Sequence, residues 1–348
     1  MADARELCHL LAGVSWDAHW MSLTTMDRDG GEILTKHEGG GGRPLHDYTV
    51  FGLHIRSELQ LPELAARQTE SADAPDVHIR IGDTGAVAEP RHVGPIFQVG
   101  VDDYRFEIRN TARYRVRQGK EIIVDPFTAS SARNVRVFLL GTAFGALCQQ
   151  RGLLPLHASA IDVDGQCVAF AGPSGIGKST LAAYFHDRGY NVMSDDICVI
   201  SLDAQGRPRA WPGIPRLKLW REAADALARD VTALEPDQEG MEKYHFPTDR
   251  GARQTSLPLR RLYILREARL SAQEGITQLT GTTAFEALLA NTYRQFLLAP
   301  MGRTAAHFAL CASLTKHTGV YSFGRRKAFD VFATEAEKLE RHFRDVEP

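Results

Sequence analysis

The run Gly172-Pro173-Ser174-Gly175-Ile176-Gly177-Lys178-Ser179 constrains this chain more than any other stretch of it. It is a complete G-x-x-x-x-G-K-S pattern. Residues 167–171 (CVAFA) before it read as a buried strand. Residues 180–188 (TLAAYFHDR) after it read as a helix that Gly189 would end. Strand, glycine loop and helix in that order turn the pattern into a phosphate-binding loop. The glycines let backbone N–H groups turn inward onto phosphate oxygens, and the helix adds the positive end of its dipole. A lysine at position 178 supplies charge to the β- and γ-phosphates, and a hydroxyl at 179 can ligate Mg²⁺. The expected nucleotide contacts are therefore Gly172, Ser174, Gly175, Ile176, Gly177, Lys178, Ser179 and Thr180, with ATP and Mg²⁺ as cofactors. Such a loop reads phosphates and metal rather than a base, so another triphosphate, or pyrophosphate, stays open.

Downstream, Asp195-Asp196 interrupts the apolar run NVMSDDICVI. An acid at the end of the next core strand is where a phosphate-loop fold holds its Mg²⁺-linked carboxylate. Two adjacent acids allow a division of labour: one serves the metal, the other takes the proton of an attacking hydroxyl. The residues alone do not say which does which. His157, in LLPLHASAIDVDGQCVAF, falls on an expected strand that turns at Asp164-Gly165 into the strand of the phosphate loop. That topology brings it toward the phosphates; a satisfied core histidine is the other reading.

The rest of the chain divides by composition. Residues 1–45 end in Gly39 to Gly42 and read as a flexible tail. Residues 46–130 carry short β-like segments (DYTVFGLHIRS, DVHIRIG, YRFEIRN, RYRVRQG, EIIVD), read as a small antiparallel sheet able to recognise a substrate. Residues 131–348 read as the catalytic domain with C-terminal helices. It opens with a helix over 131–151, where Val135, Phe138, Leu139 and Leu147 recur at helical spacing and Gly152 marks the stop. In IPRLKLW, Arg216 and Lys218 alternate with apolar neighbours and so can share one face, where they either stabilise the charge of phosphoryl transfer or form a solvated polar face. Lys243, Arg250 and Arg253 lie in or next to a charged segment, 221–256, that reads either as a cover ordering over substrate or as a surface insertion. RRLYILRE reads as a closing strand, and Arg325-Arg326-Lys327 as a solvated turn, with binding of an acidic peptide stretch the other reading.

Charge and cysteine usage narrow the function classes. A net charge of −2 and a pI of 6.7 give no global basic field for nucleic acid or anionic lipid. No apolar stretch approaches a membrane span, and the first twenty residues lack the features of a secretory signal. Five scattered cysteines, none paired as C-x-x-C, argue against a zinc site or a disulfide framework and for a cytoplasmic protein.

LHASAIDVDG, then GPSGIGKST, then the paired aspartates resemble the catalytic domain of HPr kinase/phosphorylase. More narrowly, FGLHIRSELQLPEL, RGLLPLHASA, IPRLKLW and LPLRRLYIL resemble the HPr-kinase-related proteins of peptide-modification clusters, the lasso-peptide kinases among them. The resemblance implies an α/β fold: an HPr-kinase-like, phosphoenolpyruvate carboxykinase-like catalytic domain behind a small β-rich domain. It implies an ATP- and Mg²⁺-dependent kinase acting on a serine hydroxyl. Asp195 would be the general base, Asp196 would support Mg²⁺ with Ser179, and His157 would sit near the transferred phosphate. Lys178, read from the loop motif, and Arg216, read from the basic residues after the acid pair, complete the candidate catalytic set. The narrower group implies a precursor peptide as partner, phosphorylated on its C-terminal serine. The glycine-rich C-terminal signature of HPr kinase/phosphorylase has no counterpart; WPGIPRLKLW stands in its place. HPr as substrate and a hexameric assembly are therefore not implied, and homo-oligomerisation stays open. A small-molecule kinase and a nucleotide-gated peptide-binding switch remain the other readings.

Overall fold

In the computed structural model the described residues are 43–67, 73–128, 130–234, 236–237, 241–248 and 255–345. The expected tail lies almost wholly outside them, as do Cys8, Arg250 and Arg253. All belong to one compact unit.

Strands form where bulky apolar residues alternate with charged ones. The N-terminal sheet contains β1 (His46–Val50), β2 (Leu53–Ser57), β3 (Ala65–Ala66), β4 (Val77–Ile81), β5 (His92–Val93), β6 (Phe97–Gly100), β7 (Asp103–Ile108), β8 (Ala112–Arg117) and β9 (Glu121–Pro126). In β7 and β8, Tyr104, Phe106, Tyr114 and Val116 are buried, with the Phe106 and Tyr114 rings stacked 4.7 Å apart. On the opposite face, Arg113 donates to Glu107 at 2.9 Å and Arg115 to Asp103 at 2.8 and 2.6 Å. The strand order is β3-β1-β2-β4-β9-β8-β7-β6-β5. This corrects the expected small antiparallel sheet, because β4 runs parallel to both β2 and β9. The chain crosses the far edge as β3 before returning beside β2, and so re-enters in the same direction.

Helices α1 (Ala132–Phe138) and α2 (Phe144–Gln150), joined by a π-helical turn at Leu139–Ala143, lie on the inner face of this sheet. Val135, Phe138, Phe144 and Leu147 share one core with Ile55, Ile79 and Ile122, and the Tyr114 hydroxyl donates to the Val135 carbonyl at 2.9 Å. Tyr293 seats its ring against α2: a Cβ on Gly145 would lie 2.5 Å from Tyr293 Cδ1. Gly145→Ala should therefore cost about 1–3 kcal/mol in denaturant unfolding. Unchanged stability would mean that the ring has room to move.

The second sheet carries the phosphate loop. Its strands are β10 (Leu154–Leu156), β11 (Ala158–Val163), β12 (Gln166–Ala171), β13 (Asn191–Ser194), β14 (Cys198–Leu202) and β15 (Pro208–Trp211), and after a separate pair, β16 (Arg216–Trp220) and β17 (Lys243–Pro247), come β18 (Leu257–Glu267), β19 (Gly275–Gln278) and β20 (Gly319–Arg325). The order is β10-β14-β15-β18-β12-β11-β13, with β20 also on β18 and β19 on β20. The expected closing strand, β18, is in fact central and parallel to both β12 and β20. Its unbroken buried run from Arg261 to Leu265 is what a strand covered on both faces needs. Along β12, Val168 and Phe170 face a core shared with α3 (Lys178–Asp187) and α7 (Phe332–Arg344), which flank α4 (Arg221–Ala226), α5 (Gly281–Ala290) and α6 (Thr304–His317) in the chain. Cys167, Ala169 and Ala171 face the other core, with Leu288 of α5 and Leu314 of α6. Among the described residues no helix is long and apolar enough to cross a membrane. Cys148, Cys167, Cys198 and Cys311 are free and buried.

Candidate active site

β12 runs straight into the glycine loop, and α3 begins at Lys178. Asp164 and Gly165 turn β11 into β12 with φ of 50° and 83°, as a tight hairpin requires. Gly172, Gly175 and Gly177 take φ of 146°, 77° and 98°. At Gly172 an added Cβ would lie 2.9 Å from the Leu265 carbonyl of β18, so the loop is pressed against the central strand. Ser174 and Gly175 are exposed, while the Ile176 side chain anchors the loop in the core. The Ile176 N–H turns to the Pro173 carbonyl at 3.3 Å. Ser179 is partly exposed and Thr180 is buried behind it. Lys178 is buried and folds back onto its own loop, donating to the Gly172 and Pro173 carbonyls at 2.8 and 3.0 Å. Burial pulls its pKa down to about 8 against the opposing charges of Asp196 and Asp195.

The acid pair sits in the break between β13 and β14, and its two members face different partners. Asp195 is buried; its Oδ1 accepts from Ser179 Oγ at 2.8 Å and from Ser159 Oγ at 2.5 Å. Its Oδ2 accepts the Lys218 backbone N–H of β16 at 2.8 Å. Asp196 takes a left-handed backbone, φ 76°, which swings its carboxylate away from Ser179. His157 Nδ1 lies 3.0 Å from its carbonyl and 3.3 Å from its Oδ1, and Lys218 Nζ is 3.8 Å from its Oδ2. Burial alone would raise the Asp196 pKa. The His157 hydrogen bond, with Lys218 and His157 charges, outweighs that and holds it well below the usual carboxylate range. Ser179 thus bonds to Asp195, while Asp196 faces His157 and Lys218.

Arg216 and Lys218 do share a face of β16, with Leu217 and Leu219 in the core behind them. Both cations are buried and their pKa values are lowered, first by that burial. Their partners escaped sequence reasoning. β17 pairs with β16 and carries His245, whose Nδ1 is 3.2 Å from Arg216 Nη1. Asp237 bridges His245 Nε2 and Lys218 Nζ, the latter at 3.3 Å, and is held well below the usual carboxylate range despite its burial. Glu63 reaches over from the N-terminal half, 2.8 Å from Arg136 and 3.9 Å from Arg216. The segment read as a cover or an insertion therefore builds part of the site. Tyr293 was missed too: its ring centroid is 5.9 Å from that of His157, and its N–H donates to the Pro155 carbonyl at 2.9 Å.

Of the basic triplet, Arg326 and Lys327 are exposed as expected, but Arg325 is not. Arg325 is 3% exposed and its Nη2 donates to the Ile176 carbonyl of the phosphate loop at 2.7 Å.

No family model matches this sequence, and no curated protein matches it. Among solved structures it is similar to the HPr(Ser) kinase/phosphatase from Coxiella burnetii, at 10% identity and a TM-score of 0.30. The match covers 54% of this chain and 90% of that one. So low a score carries no residue roles across.

The residues fit a Mg²⁺-nucleotide on their own chemistry. Positive-φ glycines leave room for phosphate oxygens, the first amides of α3 have no helical acceptor, and Lys178 satisfies itself on carbonyls that a phosphate can replace. Among the described residues no ready-made cluster of three metal-ligating side chains exists, so a metal here would lean on Ser179, Asp195 and the phosphates together.

Proposed function

We propose that this chain is an ATP- and Mg²⁺-dependent kinase that moves the γ-phosphate onto a serine hydroxyl of a peptide or protein. The observation that carries the reading is the split acid pair beside the loop: Asp195 bonded to Ser179, Asp196 turned to His157. A nucleotide switch needs the first carboxylate only. The second, partly exposed and oriented by His157, is placed to accept the proton of a hydroxyl in direct transfer. Bound Mg²⁺ would neutralise the phosphate oxygens. Ser179 and Asp195 would hold it, Lys178 would hold the β- and γ-phosphates, and Arg216 and Lys218 would keep positive charge next to the acceptor. Asp196 would accept the hydroxyl proton, with His157 fixing the orientation of its carboxylate. This reverses the roles the resemblance implies for the two aspartates.

The acceptor class rests on the sequence resemblance, and a precursor peptide ending in serine is the first to try. Incubation with Mg²⁺-ATP and such a peptide, followed by mass spectrometry, is expected to show one added phosphate. ATP bound and slowly hydrolysed, with no phosphate on any peptide or small alcohol, would favour the switch instead.

A further inference from the structure

β20 runs parallel to the central strand and ends at the phosphate loop. From there side chains alternate in direction, as in a strand. Arg325 turns inward onto the Ile176 carbonyl, and Arg326 turns out to within 3.8 Å of Glu274. Lys327 is exposed and reaches over the loop: its Nζ is 4.0 Å from where a Cβ on Gly175 would lie. A Cβ on Gly177 would collide with Arg325 Nη2, so glycine at 177 serves the guanidinium as well as the left-handed turn. Arg325 lies over the Phe332 ring, 5.6 Å from its centroid, and its Nε has no hydrogen-bond partner among the described residues. None of the described carboxylates lies within ion-pair distance of it; the buried Glu335 acts on it from farther away and is itself paired with Lys338. A buried guanidinium with no carboxylate in contact is unfavourable unless another anion completes the site. The adjoining surface is a loop built for anions.

We propose that Arg325 and Lys327 form a second cationic arm of the phosphate site, taking the terminal phosphates of a nucleoside triphosphate or of pyrophosphate. Arg325 braces the loop from behind and cancels the Ile176 carbonyl dipole. Lys327 closes on the phosphates over Gly175. The proposal rests on the phosphate-loop reading above and adds residues from the far end of the chain to it.

Calorimetric titration with Mg²⁺-ATP and, separately, with Mg²⁺-pyrophosphate tests it on the full chain. Lys327→Ala should weaken both ligands about three- to tenfold, and Arg325→Met about tenfold or more. The two ligands should lose by the same factor, because Lys327 directly and Arg325 through the loop act on the phosphates and not on the base. Arg325→Lys should recover part of the loss, since an ammonium keeps the charge but not the fork. If Lys178→Ala binds like wild type, the phosphate-loop reading itself fails. If Lys178→Ala loses binding while Lys327→Ala and a folded Arg325→Met bind like wild type, only the second arm fails. Should Arg325→Met not fold, the exposed Lys327 decides alone.

Discussion

Lys178→Ala is expected to lower affinity for Mg²⁺-ATP at least about a hundredfold while leaving the melting temperature unchanged or slightly higher. The two halves of that result have one cause. Lys178 is buried against carbonyl groups, and burial lowers its pKa from 10.5 to about 8. A cation that is harder to protonate folded than unfolded works against folding at neutral pH, so its removal does not lower stability. The same group sets a pH signature. Bound phosphates favour the charged ammonium and raise its pKa, so above pH 8 binding must take up a proton. Affinity should be flat below about pH 8 and fall above it, by at most about tenfold per pH unit. Lys178→Ala should lose that slope, and a slope that survives would mean another group titrates.

Asp196→Asn should reduce phosphate transfer by about 10²- to 10⁴-fold and leave Mg²⁺-ATP affinity within a few-fold of wild type. Asp195→Asn should do the opposite first: weaken Mg²⁺-nucleotide binding and raise the Mg²⁺ concentration needed. It should also cost about 1–3 kcal/mol of stability, because Asp195 accepts from Ser159, Ser179 and the Lys218 N–H. An amide puts its own donors among those three, and the backbone N–H cannot turn away. Binding and single-turnover kinetics on both variants decide the matter. If Asp195→Asn keeps nucleotide affinity and loses only transfer, Asp195 is the base, as the resemblance implies.

What could be read beforehand was local in the chain. The loop, its flanking strand and helix, and the hairpin at Asp164-Gly165 are each set by neighbours in sequence. The shared face of Arg216 and Lys218 follows from strand alternation alone. The division between Asp195 and Asp196 was hidden because it turns on one left-handed dihedral that no residue type announces. Asp237 and His245 were hidden because β16–β17 pairing lifts them out of a segment whose charge reads as surface. Glu63 and Tyr293 arrive from distant parts of the chain through packing against α1 and α2. Three consecutive basic residues default to solvent. Only the end of β20, placed against the loop, makes Arg325 an interior cation.

The central position of β18 has a consequence for synthesis. β12, which delivers the phosphate loop, pairs Phe170 with Tyr263, and β18 in turn pairs Tyr263 with Tyr321. Long-range parallel pairings form slowly and late. A chain emerging from the ribosome therefore exposes its glycine loop long before the strands that support it exist. A nascent chain halted before Gly319 should not retain nucleotide on a resin, and one released past the C-terminal helix should. Nucleotide capture would thus report that β20 has joined the central strand.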